Sequence, residues 1–247
     1  MRNLNLNQLT LDFPHLPSLG RDDFMVADCN SEAVKLIDSW PQWPYFAVCI
    51  YGPEGCGKTH LANVFANKVA NLTHYPYRIP FIKAKQISLT NFRSLFNRHS
   101  CLVIEELSAE VNQEALFHLY NLYRDEGGNI LFTSAEAPAR LNFSLPDLRS
   151  RMNIVPAAAI NEPDDDLLSA LYVKLFNDRQ IIPSPEIINY ILNNTPRSFA
   201  YARKLVAEID DISLSCKRAI TLPIVKEAIN SLAHNDYAQG NLFGWQE

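Results

Sequence analysis

The chain has 247 residues, 47% hydrophobic and 20% charged, with a formal net charge of −5 and a sequence pI near 5.7. That composition suits a globular protein with one large core and room for a smaller appendage. It excludes recruitment of nucleic acid through a global basic field. No apolar run approaches ~18 residues, and Asn and Gln stand where a signal peptide has a basic flank and apolar core, so a cytoplasmic protein is expected. Cys29, Cys49, Cys56, Cys101 and Cys216 show no CxxC spacing and no His-rich neighbour, hence no zinc pattern.

In chain order, residues 1–20 lack helical periodicity and read as an extended arm. Phe24-Met25-Val26 is strand-like, and Ala33, Val34, Leu36 and Ile37 trace one face of a helix that Asn30 or Ser31 could cap. The apolar run 46–50 predicts a first core strand, followed by a glycine-rich loop and a helix over 60–69. A second strand is expected over 78–84, where Pro80 favours a sheet edge, and then a helix over 87–96. Residues 101–107 form a continuous apolar strand ending in acid. Leu116, Leu119, Tyr120 and Tyr123 define a helix over 113–124, and buried strands follow over 129–134 and 153–158. Strands alternating with helices predict an α/β fold with a parallel sheet.

After Pro163 the pattern becomes all-helical. Asp164-Asp165-Asp166 opens a helix whose acids complement the macrodipole, with Leu167, Leu168, Leu171, Leu175 and Phe176 on one side. Further helices are expected over 185–192, 198–209 and 223–232. The chain therefore divides into an arm (1–20), an α/β domain (21–161), a small helical domain (162–232) and a loose tail (233–247).

The strongest chemistry lies in Gly52-Pro53-Glu54-Gly55-Cys56-Gly57-Lys58-Thr59-His60, between the first strand and its helix. Glycines let successive backbone N–H groups face a phosphate at the helix start. Lys58 would then reach the β- and γ-phosphates of a nucleotide, and the Thr59 hydroxyl would ligate Mg²⁺. The acidic strand end supplies Glu105 as a second metal residue and Glu106 as a group to orient the attacking water. Glu105 stands where Asp is usual, which adds a methylene of reach and argues against fast hydrolysis. Thr133 and Ser134 end the neighbouring strand with hydroxyls suited to that water or to the γ-phosphate. Arg151 and Arg197, judged alone, would be ordinary surface ion-pair residues.

These motifs, in this order, resemble the AAA+ ATPases and, over about residues 20–232, the family of the bacterial replication initiator DnaA. The stretches that carry the likeness are GPEGCGKTHL, LFHLYNLYRDEGGNILFTSA, LRSRM and TPRSFAYARKL, with Phe24-Met25-Val26 and Asn30 ahead of them. The resemblance implies an AAA+ phosphate-loop sheet domain followed by a helical lid. It implies that Val26 lies against the adenine, that Arg197 touches the nucleotide from the lid, and that Arg151 is a finger presented in trans to a neighbour's γ-phosphate. It also implies ADP or ATP with Mg²⁺ as ligands, ADP being the form expected in the competent state.

After the lid, no counterpart of the initiator's duplex-DNA-binding module is expected in this sequence. At the other end, Gln8, Leu9, Leu11 and Phe13 lie in Gln8-Leu9-Thr10-Leu11-Asp12-Phe13, which resembles peptides that bind the β subunit sliding clamp of DNA polymerase III. Gln239-Gly240-Asn241-Leu242-Phe243 loosely echoes it. An initiator-like ATPase with a clamp peptide is similar to the Hda-type negative regulators of replication initiation. The resemblance therefore implies the sliding clamp and the DnaA initiator as partners. The chain would activate hydrolysis in that partner more than act as a fast ATPase itself. A helicase loader, a non-catalytic clamp adaptor and a self-assembling homo-oligomeric ATPase remain open alternatives.

Overall fold

The computed structural model describes residues 24–73, 79–96, 101–216 and 218–238. The clamp-like peptide at 8–13 and its echo at 239–243 therefore lie outside the described residues. Among the described residues five parallel strands form one sheet: β1 (Ala47–Tyr51), β2 (Phe81–Lys83), β3 (Cys101–Leu107), β4 (Asn129–Ser134) and β5 (Ala157–Ala159), in the order β2-β3-β4-β1-β5. β2 lies at the edge, where the missing N–H of Pro80 costs no ladder bond.

Both faces of the sheet are covered, so the central strands are apolar through most of their length and turn polar only toward the sheet's rim and at Asn129. Val48, Ile50, Val103 and Leu131 pack beneath α1 (Ser31–Asp38) and α2 (Lys58–Thr73). Ala47, Cys49, Leu102, Ile104, Ile130 and Phe132 instead meet α4 (Gln113–Asp125) and α5 (Pro146–Met152), which follow the four-residue α3 (Phe92–Leu95). This division follows from the two-residue period of a strand. It places the C-terminal ends of β1, β3 and β4 along one rim, where ligands of open α/β sheets bind.

The helical domain comprises α6 (Asp165–Asn177), α7 (Pro185–Asn194), α8 (Phe199–Cys216) and α9 (Leu222–Ala238). Leu168, Leu171, Tyr172, Ile188, Leu205, Val206 and Val225 belong to its separate core. Asp164 caps α6 by accepting from the Leu167 N–H at 2.8 Å. Among the described residues, no helix is long and apolar enough to cross a membrane.

Some local expectations are corrected. Phe24-Met25-Val26 is not a strand. Asn30 does not cap α1 through its side chain; it accepts from the Ala27 N–H at 3.0 Å and donates to the Met25 carbonyl at 2.9 Å, stapling this lead-in into a loop. The helix expected over 87–96 shrinks to α3. Asn91 accepts from the Ser88 N–H at 2.8 Å and donates to the Gln86 carbonyl at 2.8 Å, a local alternative to helical bonding. The strand expected over 153–158 is only β5, because residues through Val155 close the end of α5, with the Val155 N–H donating to the Met152 carbonyl. Finally, α9 runs on to Ala238, into the stretch read as a loose tail.

Tyr120, Tyr123 and Tyr172 are fully buried. Burial pushes all three phenols up, that of Tyr172 to about 12. The stability gained by keeping them neutral is complete below the ordinary tyrosine range and is lost as pH rises through the folded values. Near-ultraviolet absorbance should show three of the ten tyrosines ionising only together with cooperative alkaline unfolding. Ionisation of all ten before unfolding would contradict this packing.

Candidate functional site

The phosphate-loop residues follow β1 and lead into α2 at the sheet rim. Gly55 (φ +75°) and Gly57 (φ +101°) adopt left-handed backbone that strains any residue with a Cβ. A Cβ on Gly55 would also stand 2.3 Å from the Ser198 Oγ of the helical domain. The loop, with Pro53, Glu54 and Cys56, is thus shaped as a cradle open to backbone donors. The Lys58 ammonium donates to the Gly52 and Pro53 carbonyls, both at 2.7 Å, and so bridges the start of the loop. Burial raises the Cys56 thiol, with Lys58 pulling the other way, so Cys56 stays a neutral packing group.

The two residues predicted to hold a metal are brought together. Thr59 Oγ1 donates to Glu105 Oε1 at 2.8 Å, across 46 residues of sequence. A hydroxyl and a carboxylate are hard oxygen donors, and Mg²⁺ takes few protein ligands when phosphate oxygens and water supply the rest. Among the described residues no group of three or more His, Cys, Asp or Glu could hold an ion alone. The donor set therefore fits an ion that arrives with a nucleotide.

Glu106 is placed differently from Glu105. Ile104 pairs with Phe132 and Leu107 with Ser134, so β3 bulges between those pairs, and Glu106 sits in the bulge at φ +58°. Its carboxylate accepts from the Lys83 ammonium on edge strand β2 at 2.6 Å, and its N–H donates to Thr133 Oγ1 at 3.2 Å. Ser134 is buried, and its hydroxyl donates to the Leu107 carbonyl at 2.9 Å. Thr133 and Ser134 thus brace the bulged end of β3.

The lead-in joins the two domains. Phe24 packs in the α/β core and meets His60 edge-on at 5.1 Å. Met25 packs on the helical domain's core, while Val26 remains half exposed. From the helical domain, the Ala200 N–H donates to the Gly55 carbonyl at 3.3 Å, and Arg203 lies 3.5 Å from His60 Nδ1. Arg197 stands one residue before Ser198, so its position is beside the loop. Its guanidinium is held by Asp165, Nε to Oδ1 and one Nη to Oδ2, each at 3.0 Å.

Arg151 lies apart from these groups, on α5. Its guanidinium is 4.9 Å above the Phe117 ring and 6.0 Å from that of Tyr120, and its Nε is buried without a hydrogen-bond partner. Arg149, two residues earlier, is exposed. Sequence reading missed Lys83, Asp165, Ser198 and Arg203; each acts through a contact far away in sequence, and only the TPRSFAYARKL likeness touched two of them.

Residues 19–155 match the family described as the bacterial DnaA ATPase domain, and residues 164–229 match the Hda lid domain. A Haemophilus influenzae protein described as uncharacterized is 26% identical over 193 residues, covering 76% of this chain and 82% of that protein. The chromosomal replication initiator protein DnaA of Bacteroides thetaiotaomicron is 24% identical over 243 residues, covering 90% of this chain and 52% of the relative. The chain spans about half the length of the DnaA relatives it matches. Domain III of the Thermotoga maritima replication initiation protein DnaA has a TM-score of 0.73 at 20% identity, covering 87% of this chain and 97% of that one. AMPPCP-bound DnaA from Aquifex aeolicus has a TM-score of 0.66 at 21% identity, covering 81% and 67%. Both structures share the fold of this chain. The chain belongs to the DnaA ATPase family, as a DnaA-related AAA+ protein with a lid of the Hda type.

Proposed function

We propose that this chain is a clamp-tethered negative regulator of replication initiation that promotes hydrolysis of ATP bound to the DnaA initiator. The observation that carries this reading is the joining of a DnaA ATPase core to an Hda-type lid on one chain. Gly52 to His60 hold a nucleotide, Val26 lies against its base, and Thr59 with Glu105 holds Mg²⁺, which supplies charge neutralisation at the phosphates. The competent form retains ADP.

The chain's own site suits retention more than turnover. Glu106 is ion-paired with Lys83, and Arg197 with Asp165, so the two groups nearest in role to a water activator and a phosphate contact are each engaged. Arg151 acts on a neighbour instead. Its aromatic platform, Phe117 and Tyr120, limits the rotamers it must lose when it meets the initiator's γ-phosphate. Gln8, Leu9, Leu11 and Phe13 dock in the sliding clamp, which raises the local concentration of this chain near loaded DNA.

The test joins a clamp pull-down to an assay of initiator-bound ATP. Alanine at Gln8, Leu11 and Phe13 together should weaken clamp capture at least about 30-fold, the equivalent of the ~2 kcal/mol expected from loss of even one interface anchor. Clamp-dependent hydrolysis should fall with it. Capture that survives the triple change removes the tether. Capture without any effect on initiator-bound ATP leaves an adaptor, and co-purification with the replicative helicase favours a loader.

A further inference from the structure

We propose that Asp165 discriminates between nucleoside diphosphate and triphosphate in this chain, by holding the Arg197 guanidinium that a terminal phosphate would otherwise engage. The inference rests on the reading of Arg197 as a nucleotide contact.

The lid approaches the phosphate loop at the start of α8. The Ala200 N–H donates to the Gly55 carbonyl at 3.3 Å, and the Ser198 hydroxyl fills the space a Gly55 Cβ would need. Arg197 immediately precedes that contact, within side-chain reach of the loop. Its Nε and one Nη donate to the two oxygens of Asp165, the side-on arrangement by which a guanidinium also takes a phosphate. A γ-phosphate can use that edge only after the carboxylate has given it up.

Charge acts in the same direction. Asp164, Asp165 and Asp166 stand together where α6 begins, and Arg197 offsets one of the three. Asp164 is committed to capping, through the Leu167 N–H. A triphosphate brings more negative charge to this corner than a diphosphate, so the acids repel it more. Both effects favour the diphosphate, and both centre on a carboxylate that neither caps a helix nor supports the core. Asp165 and Arg197 are about half exposed, which keeps the contribution of their pairing modest.

The test is calorimetric titration of the full chain with ADP and with AMPPCP, in Mg²⁺, comparing the ratio of the two dissociation constants. D165N should shift that ratio toward AMPPCP by about fivefold, equivalent to ~1 kcal/mol. In an R197A background the same substitution should shift it less than about twofold, because the arginine carries most of the coupling and only the weaker, solvent-screened repulsion by the Asp165 charge remains. Since Asp164 still caps α6, D165N should melt with the wild type; D165S repeats the measurement if it does not. An unchanged or opposite ratio in D165N overturns the proposal, as does a full shift that persists without Arg197. If R197A leaves both affinities at wild-type levels, Arg197 is not a nucleotide contact, and the underlying reading fails along with the proposal. Loss of affinity in R197A with a flat D165N overturns the proposal alone.

Discussion

Arg151→Ala is expected to lower clamp-dependent hydrolysis of initiator-bound ATP about a thousandfold, at the low end for removal of an arginine finger. Its own nucleotide affinity and clamp capture should stay at wild-type levels, since Arg151 lies on α5, away from the phosphate loop and the arm. The loss comes from charge that develops on the transferring phosphoryl group and is left without its guanidinium. Stability should change little. Within the chain the guanidinium rests on aromatic rings, Phe117 at 4.9 Å and Tyr120 at 6.0 Å, and a cation–π pair of this kind stabilises by about 0.5–1 kcal/mol. Arg151→Lys keeps the charge but loses the planar fork, and should recover only a minor part of the rate. Arg149→Ala is the control on the same helix. Single-turnover hydrolysis of labelled ATP on the initiator reads all three. Loss on Arg149→Ala with Arg151→Ala active would move the finger by two residues, and no loss on either would remove it.

The second large effect is expected at Gly52. A Cβ there would lie 2.0 Å from the Ile160 backbone oxygen and 3.0 Å from the Cys56 Sγ. Neither side can yield cheaply. The Gly52 N–H donates to the Ser134 carbonyl at 3.2 Å, and the Ile160 N–H donates to the Tyr51 carbonyl at 2.7 Å, so both backbones are pinned to the sheet. Gly52→Ala should therefore cost about 1–3 kcal/mol or more through forced backbone movement, lowering the melting temperature by roughly 2–4 °C per kcal/mol. Because the loop must move to relieve the clash, nucleotide affinity should fall by more than an order of magnitude. Gly127 separates strain from clash. It has φ +73°, and a Cβ added there would meet no atom within 4 Å, so Gly127→Ala should cost about 1–2 kcal/mol of left-handed strain and leave nucleotide affinity intact. Thermal melts and titration calorimetry on both variants decide the matter, and equal affinities would refute the close approach.

Much of the fold was legible because its signals are local. Residues 101–107 and 129–134 are apolar throughout most of their length, and they became β3 and β4 with those bounds. The periodicity of Leu116, Leu119, Tyr120 and Tyr123 marked α4, and all four are fully buried. Pro163 with the acids after it marked the start of α6, and Pro185 that of α7. Where the reading failed, a side chain chose a partner that no window reveals. Asn30 looked like a helix cap and is a loop staple, and Asn91 broke a helix by bonding its neighbours' backbone.

The sequence by itself determined the kind of chemistry: a glycine-rich loop after an apolar strand, ending in Lys58 and Thr59, is a phosphate cradle wherever it folds, because successive backbone N–H groups do the work. Only the tertiary structure decided which side chains are engaged. Lys83 reaches Glu106 because β2 lies beside β3, and Thr59 meets Glu105 because β1 and β3 end on the same rim. Asp165 captures Arg197 because α6 and α8 pack side by side. Each pair joins residues more than twenty positions apart. Strand order and helix packing, set by burial summed over the whole chain, bring such groups within hydrogen-bonding distance, and no local pattern encodes that sum.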